Sequence, residues 1–186
     1  AGLGRIEDFY VDPNNDNRIY LGSRSGGFWK TSDGGSNWDV TTDFLFATGV
    51  DAIAASPTNS DSVLINIRNS SNGYSHGIYR SIDGGDTWLL SNFNPANVGF
   101  GGLGDNFRIY KIAYHPTIPD LIFIGTSKGI YRSTDNLQTW TSEITTGDIT
   151  EIDFHPTDPN YIYLYDDYYW GANQNVVLIS SNAGVS

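Results

Sequence analysis

The chain has 186 residues and a formal net charge of −11, from 10 Lys and Arg against 21 Asp and Glu, with no Cys and no Met but 12 Tyr, 9 Phe, 5 Trp and 21 Gly. The absence of Cys excludes a disulfide scaffold, a Cys-ligated zinc site and a Cys nucleophile. The charge argues against nucleic acid and anionic membrane surfaces, which need clustered Lys and Arg; no apolar run approaches the roughly 18 residues of a membrane span, so no membrane insertion is expected.

Taken in chain order, the first apolar stretch, Phe9-Tyr-Val-Asp-Pro13, ends at a Pro and a polar turn. Ile19-Tyr-Leu-Gly22 follows, then Phe28-Trp29-Lys30, then Thr31-Ser-Asp-Gly-Gly-Ser-Asn-Trp38. The same four-part order returns as Ile53-Ala-Ala-Ser-Pro57, Val63-Leu-Ile-Asn66, Ile78-Tyr79-Arg80 and Ser81-Ile-Asp-Gly-Gly-Asp-Thr-Trp88. A third copy runs through Ile112-Ala-Tyr-His-Pro116, Leu121-Ile-Phe-Ile124, Ile130-Tyr131-Arg132 and Ser133-Thr-Asp-Asn-Leu-Gln-Thr-Trp140. A fourth begins Ile152-Asp-Phe-His-Pro156, Tyr161-Ile-Tyr-Leu164 and reaches Ser180-Ser-Asn-Ala-Gly-Val-Ser186. Approximate repeats are therefore 1–47, 48–106, 107–147 and 148–186.

The runs between turns are short, β-branched or aromatic, and roughly alternating, which is the signature of strands. Four strands per repeat are expected: one ending at the Pro, one after the turn, one carrying the aromatic pair, and one starting at the motif Trp. Tandem four-stranded units of this length define an all-β class, a β-propeller of antiparallel blades. A solenoid is the runner-up, with shorter coils. Closed propellers need about four to eight blades, so the expectation is about four consecutive blades of a larger ring whose remaining blades belong to the same polypeptide.

The template Ser/Thr-x-Asp-x-Gly-x-x-Trp resembles the Asp box (BNR repeat) of sialidase, sortilin and xyloglucan-hydrolase propellers. Asp12-Pro-Asn, Gly26-Gly-Phe-Trp-Lys-Thr-Ser-Asp-Gly-Gly and His155-Pro-Thr-Asp-Pro-Asn resemble large secreted Bacteroidetes proteins exported by type IX secretion. The resemblance implies a fold element: Asp33, Asp83, Asp135 and Asn182 accept turn hydrogen bonds, Gly35, Gly85 and Gly184 permit positive φ, and Trp38, Trp88 and Trp140 cover the hairpin. Leu137 and Asn182 depart from the template, a drift that a turn tolerates and a catalytic carboxylate does not.

Strands alternate in direction, so the Asp-box and Pro turns mark one face. The loops after each repeat's second and fourth strands, at 23–27, 41–50, 68–77, 89–107, 127–128, 141–148 and 165–175, build the other face, where ligand binding is expected. Candidate binding residues there are Asp166, Asp167, Tyr168, Tyr169 and Trp170, where rings suit sugar faces and carboxylates suit hydroxyls, together with Arg24, Asn94 and Asp105. Asp166 and Asp167 alternate across a strand and make no evident acid/base pair. Phe107-Arg-Ile-Tyr110 resembles a sialidase start but departs at Tyr110, and Arg24 stands where the xyloglucan-hydrolase resemblance implies a catalytic Asp. No catalytic residue is therefore assigned.

Asp12-Pro-Asn-Asn-Asp16 half-matches a calcium loop but lacks the Gly (Asn17) and the closing acid (Ser23), so an Asx turn is expected. His115 and His155 occupy equivalent positions before Pro, which reads as a turn role. No cofactor or metal is expected, a weak surface calcium ion being the one possibility left open. Asn69-Ser-Ser71 fits an N-glycosylation acceptor and Asp61-Ser-Val63 resembles the Bacteroidetes O-glycosylation motif.

The leading reading is an extracellular or cell-surface module for binding or adhesion, with a glycan or protein ligand on the face opposite the Asp boxes. The first alternative is part of a secreted glycoside hydrolase whose catalytic carboxylates lie mainly in other blades. The second is a structural subunit or cargo of a surface secretion or motility assembly.

Overall fold

The structure, a computed structural model, describes residues 4–99, 106–145, 147–167 and 176–185. The first sheet comprises β1 (Ile6–Asp12), β2 (Asn15–Ser23), β3 (Gly27–Thr31) and β4 (Asp39–Val40), in that order. The second comprises β5 (Gly49–Ser56), β6 (Asn59–Arg68), β7 (Ser75–Ser81) and β8 (Leu89–Leu90), followed by the short helix α1 (Pro95–Val98). The third is β9 (Ile109–Tyr114), β10 (Ile122–Thr126), β11 (Gly129–Ser133) and β12 (Thr141–Ile144). The fourth has β13 (Ile149–Phe154), β14 (Ile162–Asp166) and β15 (Val176–Ser180) as its described strands.

Every neighbouring pair is antiparallel, and the inner strands β1, β5, β9 and β13 touch in succession. The protein is an all-β propeller. Its interior is three apolar layers between successive sheets. Tyr20, Phe28, Ile53, Ile65 and Trp88 fill the first layer. Leu64, Ile78, Phe93, Ile112 and Ile124 fill the second, and Phe123, Ile130, Ile152 and Leu164 the third. Alternation along each strand sends neighbouring residues to opposite layers, which is why β5 and β6 are apolar on both sides.

The repeated turns are built alike. Thr31 Oγ1 donates to Asp33 Oδ1 at 2.8 Å and accepts from Gly35 N at 3.1 Å; Asn37 N donates to the same carboxylate oxygen at 2.9 Å. Ser81–Asp83, Ser133–Asp135 and Ser180–Asn182 repeat the first contact at 2.7, 2.9 and 2.8 Å. Each turn is tied to the β-hairpin turn of its own sheet: Gly34 N to Asn17 O, Gly84 N to Asp61 O, Asn136 N to Asp120 O and Ala183 N to Asn160 O. Both turn sets therefore share one face.

Gly35, Gly85 and Gly184 have φ of 93°, 85° and 70°, and the third copy keeps the left-handed backbone with Leu137 at φ 64°. Leu137 accepts that strain while burying its side chain in the second layer.

One expectation shifts by a residue. The motif Trp lies in the turn, and the fourth strand begins just after it, at Asp39, Leu89 and Thr141. Trp88 does more than cover its own hairpin: it reaches Phe28 of the preceding sheet edge-on at 4.9 Å and donates to Thr41 Oγ1 at 3.1 Å. Trp140 meets Phe93 at 5.2 Å in the same way.

Asp12 Oδ1 accepts from Asn14 N at 2.9 Å, so Asp12-Pro-Asn forms an Asx turn. His115 Nδ1 accepts from Thr117 N and Ile118 N, and His155 Nδ1 from Thr157 N and Asp158 N. Both rings thus perform the turn role their positions before Pro implied.

Candidate binding face

The ends of β2, β6 and β10 and the starts of β1, β5, β9 and β13 point to the face opposite the repeated turns. The connection from β4 to β5 crosses this face from rim to hub, held by Gly27 N donating to Thr48 O at 2.7 Å. At its crest Phe44 is 68% and Phe46 89% exposed. Phe46 stands edge-on to His76 with ring centroids 5.5 Å apart. A shallow concavity of about 250 Å³ lies between them, bordered by Asn69 and Ser70. The β6–β7 loop that carries Asn69 is held by its own polar groups: Asn69 Oδ1 accepts from Ser71 N and Ser71 Oγ at 2.9 and 2.6 Å. Arg108 lies over Tyr74 at 5.6 Å and donates to Asn72 O at 3.1 Å.

Beneath this surface runs a charged seam centred on the second sheet and reaching Glu7 of the first. Asp51 on β5 accepts from Arg68 Nη1 at 2.8 Å and from Asn66 Nδ2 at 2.6 Å. Asn66 in turn accepts from Ser75 Oγ at 2.6 Å. Burial pushes the Asp51 carboxyl up to about 6 against the opposing pull of the Arg68 guanidinium, and the Glu7 charge adds to the rise. Glu7 is the register equivalent of Asp51; Arg5 Nη2 and Arg24 Nη1 lie 3.2 and 3.7 Å from it.

A second acidic group lies between the third and fourth sheets. Asp148 N donates to Asp166 Oδ1 at 2.9 Å, Asp167 N donates to Asp148 O at 2.8 Å, and Tyr110 O–H points to Asp148 Oδ2 at 3.4 Å. Burial raises the Asp148 carboxyl, and the Asp166 and Asp167 charges add to the effect.

The sequence-derived candidates are dispersed. Asp166 and Asp167 sit in this second group, half-buried. Arg24 belongs to the charged seam, its N–H donating to Arg5 O at 2.9 Å. Asn94 caps α1: its Oδ1 accepts from Ala96 N and Asn97 N, and its Nδ2 donates to Ser91 O at 2.7 Å. Asp105, Tyr168, Tyr169 and Trp170 lie outside the described residues. Phe44, Phe46 and Asp51 were not singled out by sequence. Their signal is that two Phe stand two apart in a stretch between strands, and that an Asp interrupts an apolar strand.

Among the described residues no group of three or more His, Asp or Glu is placed to hold a metal ion, and no helix is long and apolar enough to cross a membrane.

No family model matches the chain. It is 27% identical over 150 residues to a xyloglucanase of a Paenibacillus species, covering 75% of this chain and 14% of that protein. It is 26% identical over 189 aligned residues to xyloglucanase Xgh74A of Acetivibrio thermocellus, covering 87% of this chain and 21% of that one. The chain thus spans about a fifth or less of the length of these curated relatives. Among solved structures, the GH74 xyloglucanase from Xanthomonas campestris superposes with a TM-score of 0.73 at 20% identity, over 98% of this chain and 30% of that chain. That likeness shows the β-propeller fold.

Proposed function

We propose that the chain is a glycan-binding part of an extracellular propeller, and that its loop face takes a xyloglucan-type β-glucan. The observation carrying this reading is Phe46, a nearly bare aromatic ring set beside His76 and the polar Asn69 and Ser70 on the face opposite the repeated turns. Two rings, Phe44 and Phe46, stand exposed on one connection, and clustered exposed apolar surface marks interaction sites. The C–H faces of a pyranose bury against such a ring, while amides and hydroxyls bond the sugar's rim. Arg24, Asp166 and Asp167 flank the face as further polar contacts. The choice of xyloglucan rests on the names of the curated relatives. The repeated turns are read as Asp boxes, structural and remote from the ligand, and the acidic, Cys-free composition suits an exported protein.

Calorimetric titration with xyloglucan oligosaccharides tests this. Phe46→Ala should weaken binding at least about 10-fold, or about 1.4 kcal/mol, while Phe46→Trp retains it. Equal binding by all three proteins would remove Phe46 from the site.

A second reading, part of a glycoside hydrolase, is favoured by the neighbouring Asp148 and Asp166, one with a raised pKa. Arg24, where the resemblance implies a catalytic Asp, weighs against it. Reducing ends released from xyloglucan by the wild type and lost in Asp148→Asn would favour this reading over binding alone.

A further inference from the structure

The second sheet buries a polar side chain where its sister sheets carry none. Asn66, Gly22 and Gly125 hold one register position, opposite Ile78, Phe28 and Ile130. At the two glycines the main chain of the following sheet closes in: a Cβ on Gly22 would stand 2.9 Å from Val50 O, and one on Gly125 2.5 Å from Ile149 O. The joint after the second sheet admits a side chain instead. Asn66 is wholly buried, and its Nδ2 lies 3.4 Å from Ile109 O, the equivalent carbonyl. Packing does not require an amide here, so its role lies in the groups it links.

It links Asp51 to the strand start that carries His76. Both Asp51 oxygens accept, Oδ1 from Asn66 Nδ2 at 2.6 Å and Oδ2 from Arg68 Nη1 at 2.8 Å. Asn66 Oδ1 accepts from Ser75 Oγ at 2.6 Å, and Ser75 Oγ accepts from Gly77 N at 3.0 Å, so the chain of bonds straddles His76. This is the arrangement of an ionised Asp51. A proton on Oδ2 would face the Arg68 guanidinium, and one on Oδ1 would face the Asn66 donor. The acid is seated when the Asn66 amide turns over, presenting its oxygen to Asp51 and its N–H groups to Ser75 and giving up Ile109 O. Burial favours the neutral acid, whereas the donors and the Arg68 charge favour the anion, so the two arrangements are balanced near pH 6. Facing Asp51 from β1 is Glu7, itself beside Arg5 and Arg24; His76 is a further titratable group next to these bonds.

We infer that Asp51, Asn66 and Ser75 form a hydrogen-bond switch that sets the position of His76 against Phe46, with the ionised arrangement the one that binds glycan. The control of binding rests on the glycan reading proposed above; the coupling of Asp51 to the His76 segment does not.

Nuclear magnetic resonance of the ligand-free chain from pH 4.5 to 8 tests the coupling. The amides of Ser75 and Gly77 and the Asn66 side-chain amide should titrate with the same midpoint as the Asp51 carboxyl carbon, near pH 6. Asp51→Asn, which carries a donor at every pH, should abolish the transition. Asn66→Gly, the residue two sister sheets carry, should leave Asp51 titrating while Ser75 and Gly77 stay nearly constant. His76→Gln should keep the transition. Calorimetry with a xyloglucan oligosaccharide should show wild-type binding at least about 5-fold tighter at pH 7.5 than at pH 5, and this difference should disappear in Asn66→Gly. Ser75 and Gly77 shifts that survive Asp51→Asn, or a transition that vanishes in His76→Gln, would overturn the switch. Equal wild-type affinity at the two pH values would overturn its control of the site. Absence of binding at both pH values, with the Asp51-dependent shifts present, would remove the glycan reading and leave the switch standing.

Discussion

Asp51 and Arg68 face each other across β5 and β6, with 2.8 Å between Oδ2 and Nη1 and each side chain only 12% exposed. The pair is held in a seam shared with Glu7 and Asn66, and the cost of drying the carboxylate exceeds the attraction of the guanidinium. The carboxyl therefore binds its proton more tightly in the folded chain than in the unfolded one.

The first prediction is a pH dependence. An acid whose folded pKa is raised to about 6 from 3.8 holds a proton in the folded state across that interval that the unfolded state has released. Stability contributed by Asp51 is present at pH 4 and lost as pH rises through 6, by on the order of 3 kcal/mol. Asp33 works in the opposite sense: the amides and hydroxyl that bond it hold its carboxyl down at about 2, and Asp83 and Asp135 are lowered by their own turns. Their contribution is present above pH 4 and lost toward pH 2. Thermal unfolding followed from pH 2 to 8 should therefore peak near pH 4–5. Asp51→Asn should flatten the limb between pH 4 and 6 and leave the acid limb unchanged.

The second concerns the strained turn. Leu137 holds φ 64°, where its neighbours in register are Gly, and is 2% exposed. Replacing it by Gly relieves about 1 kcal/mol of left-handed strain but removes a buried leucine side chain worth about 2–5 kcal/mol. Chemical denaturation should show Leu137→Gly less stable by about 1–4 kcal/mol. Equal or greater stability would mean that the side chain contributes nothing to the second layer.

Third, equivalent Trp residues should differ. Trp88 is buried against Phe28, whereas Trp38, at the free face of the first sheet, is only half-buried. Trp88→Ala should cost about 3–5 kcal/mol and Trp38→Ala distinctly less. Urea midpoints of the two variants check this directly.

Much of the architecture is legible in the sequence because it is local. The spacing from Pro13 to Ile19 to Phe28 to Trp38 marks turn, strand, strand and turn within one repeat, and His115 before Pro116 announces its turn. What bridges repeats is not legible. Trp88 reads as a hairpin cover, yet its ring lies on Phe28, in a different repeat, because the blades are stacked by contacts that no local pattern records. Asp51 reads as one acid in an apolar strand; only its burial in the assembled fold, with Glu7 close by, raises its carboxyl against the pull of Arg68. Phe46 falls in the 41–50 loop of the expected binding face but was not singled out, since exposure is a property of the assembled face.

The central claim is that the ligand sits on the face carrying Phe46, with the repeated aspartate turns on the far side. Amide chemical-shift mapping during titration with a xyloglucan oligosaccharide tests it most directly. The account predicts shifts concentrated at Phe46, Asn69, Ser70 and His76. Shifts confined to Asp33–Trp38, Asp83–Trp88 and Asp135–Trp140 would contradict it.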